Sequence, residues 1–237
     1  MSVRLVGSVL LDLMIALTRV PVRQSPNEPP QWIPATWADY LAVCEEAEAK
    51  QVDHFRAYFN QGYLFVDMGW EGISHAKCRE LLSMLFFAWF ARQPDIIFEA
   101  MGGCIIEKSG QRGGSPDAVL YLGEDIPQYN PRDESRRVDL RRWRAPDLVC
   151  EVGNTTLASD LDEKKEIYAA LEVPEYWVVD VKGLRVIAFL LQDDGRYQQC
   201  EVSQALEGLQ LSLVEQTFER LANGTNGSAA QWFARQI

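Results

Sequence analysis

The sequence predicts an α/β protein with a mixed β-sheet flanked by helices. Apolar residues recur at helical spacing in four segments, and short alternating or wholly apolar runs bounded by turn residues lie between them. The order helix, antiparallel strands, helix, strands then reads as a mixed sheet with helices packed on it.

The first element is the apolar run from Val3 to Val20. Asp12 sits in its middle, Arg4 and Arg19 flank it, and no small-residue cleavage site precedes Pro21. A membrane span needs about 20 apolar residues, and a central Asp costs about 3 kcal/mol there. The run is therefore expected to pack on the core as an added helix or strand. VPVRQSPNEPPQWIP holds five prolines, which remove donors and favour an extended linker. Residues 1–35 are accordingly assigned to an extension and linker, and 36–237 to one folded domain.

Within that domain Thr36 is a good N-cap for the helix TWADYLAVCEEAEAK, and YLFVDMG alternates as a strand. Ser74 is expected to cap the long helix HAKCRELLSMLFFAWFARQ, which Pro94 stops. IIFEA, CIIEK and, after the loop GQRGGSPD, AVLYL read as strands. The polar stretch 123–144 leads into the apolar strand LVCEV. Asp160 is expected to cap LDEKKEIYAALE, which feeds the strands EYWVVDV, LRVIAFLL and RYQQCEV, and SLVEQTFERLA forms the last helix.

Composition narrows the function. Of 237 residues, 47% are hydrophobic and 24% charged, ordinary for a soluble globular chain. Lys+Arg 23 against Asp+Glu 34 leaves a net charge of -11, which excludes a uniformly basic nucleic-acid coat and demands a local patch. The 5 cysteines are never arranged C-x-x-C, so reduced, buried thiols and a cytoplasmic location are expected. With 2 histidines and no Cys/His pairing at ligand spacing, a zinc site is disfavoured. Cys78 and Ser74 near His75 are assigned to helix core and cap, not to nucleophilic catalysis. GQRGGS lacks the lysine that a phosphate loop requires.

The chemistry points to carboxylates. Glu151 lies inside the apolar run Leu148–Val152, where a charge is costly unless paired or bound to a metal. Asp147 is four residues away on the same strand, about 13 Å, too far to share one ion, and is expected at the strand entrance. Asp117 opens the strand AVLYL after a second Pro-Asp. If that strand runs antiparallel to 148–152, its start meets the end holding Glu151. Lys164 falls on a helical stripe with Asp160 and Tyr168, from which an ammonium reaches back toward the carboxylates; a solvated helix face is the competing reading. The aromatics of EYW are expected in the core.

The stretch PDLVCEVGNTTLASDLDEKKEIYAALEVPEYWVVD, with GGSPDAVLY upstream, closely resembles the signature of the Uma-two family of restriction endonucleases, within the PD-(D/E)-x-K nuclease superfamily. The likeness covers most of the chain beyond the first thirty or so residues. It implies a restriction-endonuclease-like core and phosphodiester hydrolysis dependent on magnesium, with manganese as a substitute. Asp117 resembles the motif aspartate and Glu151 the second acidic ligand, with the Val152 carbonyl as a further ligand. Gly153 stands where the superfamily's simplest pattern has its lysine, and Lys164 takes that role. Glu80 is a weaker candidate for an additional acidic residue.

DNA is the expected partner, with no membrane contact; homodimers are common among such nucleases, though no seam is legible. The local patch lies between Arg132 and Arg144, where six arginines oppose three acids. Arg136, Arg137, Arg141, Arg142 and Arg144 are the candidate phosphate contacts, the alternative being an acid–base loop that satisfies itself. A catalytically silent nuclease-fold module is the second functional expectation, and a hydrolase of a small phosphorylated molecule the third.

Overall fold

The computed structural model describes residues 20–24, 28–52, 54–69, 71–128 and 135–237. The apolar segment from Val3 to position 19 and Arg132 lie outside the described residues. In chain order come β1 (Val22–Arg23), β2 (Ile33–Pro34), α1 (Trp37–Ala49), β3 (Arg56–Asn60), β4 (Tyr63–Asp67) and α2 (Ile73–Phe90). Next are β5 (Phe98–Met101), β6 (Ile105–Lys108), β7 (Arg112–Gly114), β8 (Ala118–Leu122), β9 (Arg137–Asp139) and β10 (Leu148–Gly153). The chain closes with α3 (Leu157–Leu161), α4 (Glu163–Ala170), β11 (Glu175–Asp180), β12 (Arg185–Leu191), β13 (Tyr197–Cys200), α5 (Leu211–Ala222) and α6 (Asn226–Ala234).

The strands form two mixed sheets where the sequence suggested one. Sheet one runs β1-β4-β3-β7-β6-β9, with β2 also on β4; sheet two runs β13-β12-β11-β10-β8-β5. β10 pairs antiparallel with β8 and parallel with β11, the α3–α4 crossover supplying the length that a parallel connection needs.

Strand alternation divides the core. Leu148, Cys150 and Val152 of β10 and Ala118 and Leu120 of β8 pack with Leu81, Leu85 and Phe86 of α2 and Phe218 of α5. Val149, Val119 and Tyr121 turn the other way and meet Tyr58, Ile167, Tyr168 and Tyr176 between the two sheets. Each large side chain buried in these clusters contributes about 1.5–3 kcal/mol. Tyr176 and Trp177 are fully buried, as expected of a core strand. The described cysteines are all unpaired, and four of them are buried.

Local chemistry explains the boundaries. Thr36 caps α1 in a reciprocal box with Asp39. Gln61 and Gly62, at φ 47 and 86, make the two-residue turn that joins β3 to β4. α2 starts two residues earlier than expected, with Gly72 rather than Ser74 at its cap. The expected loop 110–117 contains β7. A Cβ on Gly113 would collide with the Tyr40 hydroxyl, and one on Gly114 would lie 3.1 Å from that of Tyr168. The glycine run thus permits close packing of β7 on α1 and α4.

The polar stretch likewise contains β9, and α6 follows α5. Val22–Arg23 and Ile33–Pro34, from the proline-rich segment, pair with β4. Proline is tolerated there because both are short edge strands. No helix among the described residues is long and apolar enough to cross a membrane.

Candidate active site

The register of β8 and β10 sets Ala118 opposite Cys150. One residue further, Asp117 and Glu151 are the next opposed pair, and alternation turns both toward the gap between the sheets. The Asp117 N–H donates to Cys150 O at 3.1 Å. The Val152 N–H donates to Asp117 Oδ2 at 2.7 Å. Asp147 stands at the other end, accepting from Leu122 N at 2.7 Å and pairing with Arg144 at 2.8 Å. The antiparallel meeting of Asp117 and Glu151, and the exclusion of Asp147, follow from one register.

Lys164 reaches the same place. Its Nζ lies 3.1 Å from Glu151 Oε2, 2.8 Å from Asp160 Oδ1 and 4.2 Å from the Tyr58 ring centre. Its residue is 3% exposed, which removes the solvated-face reading. Asp160 lies within α3 rather than capping α4; the backbone breaks at Asp162, and Thr156 Oγ1 donates to Asp160 Oδ2 at 2.9 Å. Tyr168 donates to Glu151 Oε1 at 2.6 Å, and the Tyr58 hydroxyl, which donates to Ser115 O at 2.7 Å, lies 3.3 Å from Oε2. The stripe Asp160, Lys164, Tyr168 therefore presents one face to Glu151.

Gly153 makes room for the Asp160 carboxylate. A Cβ there would sit 2.7 Å from Asp160 Oδ2 and 3.3 Å from Leu157 Cα. The carboxylate that holds Lys164 fills the space a side chain at 153 would need, so the ammonium arrives from the helix.

Three residues that the sequence reading passed over complete the cluster. Arg56 Nη2 lies 2.7 Å from Asp117 Oδ1 and also pairs with Glu71. His75 Nε2 lies 3.2 Å from Asp117 Oδ2, and its Nδ1 is 3.5 Å from Glu71 Oε2, beyond a good hydrogen bond. Arg79 holds Glu71 at 2.8 Å. One ligand atom each from Glu71, His75 and Asp117 lie within 4.8 Å of one another. Sequence spacing could have flagged Glu71 and His75 as an i, i+4 pair had α2 been started before Ser74. Glu80 instead pairs with Arg79 on the surface, away from the cavity.

Opposing forces set the protonation states. Burial would raise Asp117, but Arg56, His75 and Lys164 hold its carboxyl well below the ordinary range. Burial pushes Glu151 up to about 7, aided by Asp117 and Asp160 and resisted by Lys164. Burial would lower His75, but Asp117 and Glu71 lift it to about 9. Burial would raise Glu71, which His75, Arg56 and Arg79 bring down to about 2. Lys164 stays charged, because Asp160 and Glu151 outweigh its burial.

Asp117, Glu151, Val152, Lys164, His75 and Glu71 all border one cavity of about 50 Å³. That volume holds an ion with a water or two, but no base. Arg23, from the proline-rich segment, closes one side through Asp67 at 2.7 Å and Thr155 at 2.5 Å.

The arginines divide. Arg137 pairs with Glu107 at 2.7 Å, and Arg144 binds Ala145 O at 3.1 Å, Asp147 and the ring of Tyr121. These two are drawn inward by a buried carboxylate and a strand entrance, in line with a loop that satisfies itself. Arg141 pairs loosely with Asp139 at 3.4 Å, Arg136 is tied to Gly103 O at 2.8 Å, and Arg142 is exposed.

Comparison with known proteins shows the fold and the family. A crystal structure of a putative nuclease from Anabaena variabilis superposes with a TM-score of 0.51 at 12% identity, covering 75% of this chain and 90% of that one. At that identity the likeness is one of fold. None of the curated proteins matches the chain. The Uma2 family, described as "putative restriction endonuclease", matches residues 37–223, a span that runs from the first residue of α1 to just beyond α5 and includes Asp117, Glu151 and Lys164. The chain therefore belongs to the Uma2 family.

Proposed function

We propose that the protein is a divalent-metal-dependent endonuclease that hydrolyses phosphodiester bonds of DNA. The observation that carries the proposal is the opposition of Asp117 and Glu151 across two paired strands, at a cavity to which Lys164 brings a charged amine 3.1 Å from Glu151.

The donor set fits a hard cation. Carboxylates and a backbone carbonyl suit magnesium or manganese. Glu151 titrates at about 7 because burial and its acidic neighbours disfavour its charge, a penalty that a cation between the carboxylates relieves. Asp117, Glu151 and the Val152 carbonyl are the proposed ligands, with Glu71 and His75 beside them. A bound ion supplies charge neutralisation at the phosphate and a more acidic water.

The remaining steps belong to the side chains. Tyr168 fixes the orientation of Glu151, and Asp160 fixes Lys164. Lys164 then donates to the attacking water or to the phosphate oxygen that gains charge. Arg136, Arg141 and Arg142 approach the DNA backbone, while Arg137 and Arg144 hold the loop that carries them.

The test is incubation of plasmid with the protein and magnesium or manganese. Wild type is expected to nick or linearise it, and Glu151→Ala to leave it intact. Cleavage that survives the substitution overturns the assignment. One observation favours the catalytically silent reading: Arg56, His75 and the Val152 N–H already occupy both Asp117 oxygens. Absence of cleavage with every divalent metal would support it.

A further inference from the structure

The Arg56–Asp117 pair has a cavity on each side. The inner one is the carboxylate chamber described above. The outer one, of about 90 Å³, is bordered by Arg56, Glu71 and Asp117 on the shared wall and by His54, Arg79 and Arg136 elsewhere. We infer that this outer cavity binds the phosphate next to the one being cleaved, so that the substrate is a polynucleotide chain rather than a mononucleotide or a small phosphodiester. The inference rests on the nuclease reading and names its substrate class.

Size is the first argument. About 90 Å³ is the room of roughly three waters, which suits one tetrahedral oxyanion and excludes a base. Charge is the second. In the inner chamber Asp67, Glu71, Asp117 and Glu151 are matched by Arg23, Arg56, His75 and Lys164, whereas in the outer one Arg79 and Arg136, from α2 and the loop before β9, join Arg56 against Glu71 and Asp117 alone. Both are held in place: Arg79 by Glu71 and Glu80, and Arg136 through its Nε to Gly103 O at 2.8 Å.

The Arg136 bond uses Nε and leaves its terminal amino groups available for the forked recognition of a phosphate. Position is the third argument. The two cavities share the wall formed by Arg56, Glu71 and Asp117, so a group in the outer one neighbours a phosphate at Asp117.

The test compares Arg136→Gln with wild type and with Arg196→Gln. Arg196 is exposed beyond the C-terminal end of β12, at the edge of sheet two opposite Glu151, and its loss removes the same charge. Binding of a fluorescent duplex oligonucleotide is measured with calcium at several salt concentrations, and hydrolysis of the same duplex and of bis(p-nitrophenyl) phosphate with manganese. Arg136→Gln is expected to weaken duplex binding several-fold, to flatten the salt slope by about one and to lower kcat/KM on the duplex, with hydrolysis of the small diester unchanged. Arg196→Gln should leave all of these near wild type.

Duplex binding and salt slope unaltered in Arg136→Gln, or no duplex binding by wild type, overturns the subsite. An equal loss on the small diester overturns it as well. If wild type hydrolyses neither substrate, the nuclease reading fails by itself, and the binding comparison still decides the subsite.

Discussion

Glu107 on β6 and Glu151 on β10 are both nearly inaccessible carboxylates on strands, 4% and 2% exposed, yet their surroundings differ in kind. Glu107 has a partner of its own, Arg137 at 2.7 Å and 3.3 Å, with the Tyr40 hydroxyl donating at 3.1 Å, and it borders no cavity described above. Glu151 shares one ammonium with Asp160, faces Asp117 and opens on a chamber. A buried charge balanced on the spot is a structural pair whose breaking is costly. Carboxylates crowded around one amine beside solvent are the arrangement from which a metal site is built.

The largest effects should separate these two glutamates. Glu151→Gln keeps the shape and relieves a crowded charge, so cleavage should fall by at least about 100-fold while thermal unfolding stays near wild type. Glu107→Gln strands the Arg137 guanidinium and should cost about 2–3 kcal/mol of stability, with the specific activity of the folded protein retained. The reverse pattern in urea melts and plasmid assays would remove the distinction.

Metal binding sharpens it further. Manganese at about 100 times its Kd should stabilise the protein by about 2.7 kcal/mol, seen as a higher Tm. Asp117→Asn should lose that shift and Glu107→Gln should keep it. An equal shift in all three proteins would place the ion elsewhere.

A smaller effect is expected at Gly153. An added methyl meets Asp160 Oδ2 at 2.7 Å, and overpacking costs about 1–3 kcal/mol. Gly153→Ala should therefore lower Tm modestly and reduce kcat by moving Asp160 and with it Lys164. Unchanged kinetics would mean that Lys164 does not depend on that contact.

The smallest effect distinguishes the arginines. Arg142→Gln, on the exposed loop, should reduce DNA affinity a few-fold and flatten the salt slope by about 0.9. Arg137→Gln should behave like Glu107→Gln and show itself in urea, not in salt.

The carboxylate pair was legible because β-strands have a period of two and because two Pro-Asp openings mark where strands begin. An apolar run interrupted by Glu151 carries its own energetic contradiction, and antiparallel pairing resolves it at Asp117. Lys164 was legible from helical spacing, even though the helix is broken at Asp162. The net charge of -11 also lost its force against nucleic acid once the arginines were seen to gather before β10.

Arg56, Glu71 and His75 were not legible. Arg56 begins an ordinary strand and Glu71 precedes a helix whose start was misplaced, while His75 looked like a helix residue beside a presumed cap. They meet Asp117 only because sheet one folds the start of β3 and the entrance of α2 against the start of β8. The inward turn of Arg137 likewise required its pairing with Glu107 across β6 and β9, and the division into two sheets required contacts between distant segments. Periodicity and local sterics are short-range, so the amino-acid sequence by itself determined the strands that carry Asp117 and Glu151, the helical stripe and the opposition of those carboxylates, but not the short strands β1, β2, β3, β7 and β9. Which cations compensate the carboxylates, and which cavities they border, depend on contacts between residues far apart in the chain, and those the tertiary structure alone decided.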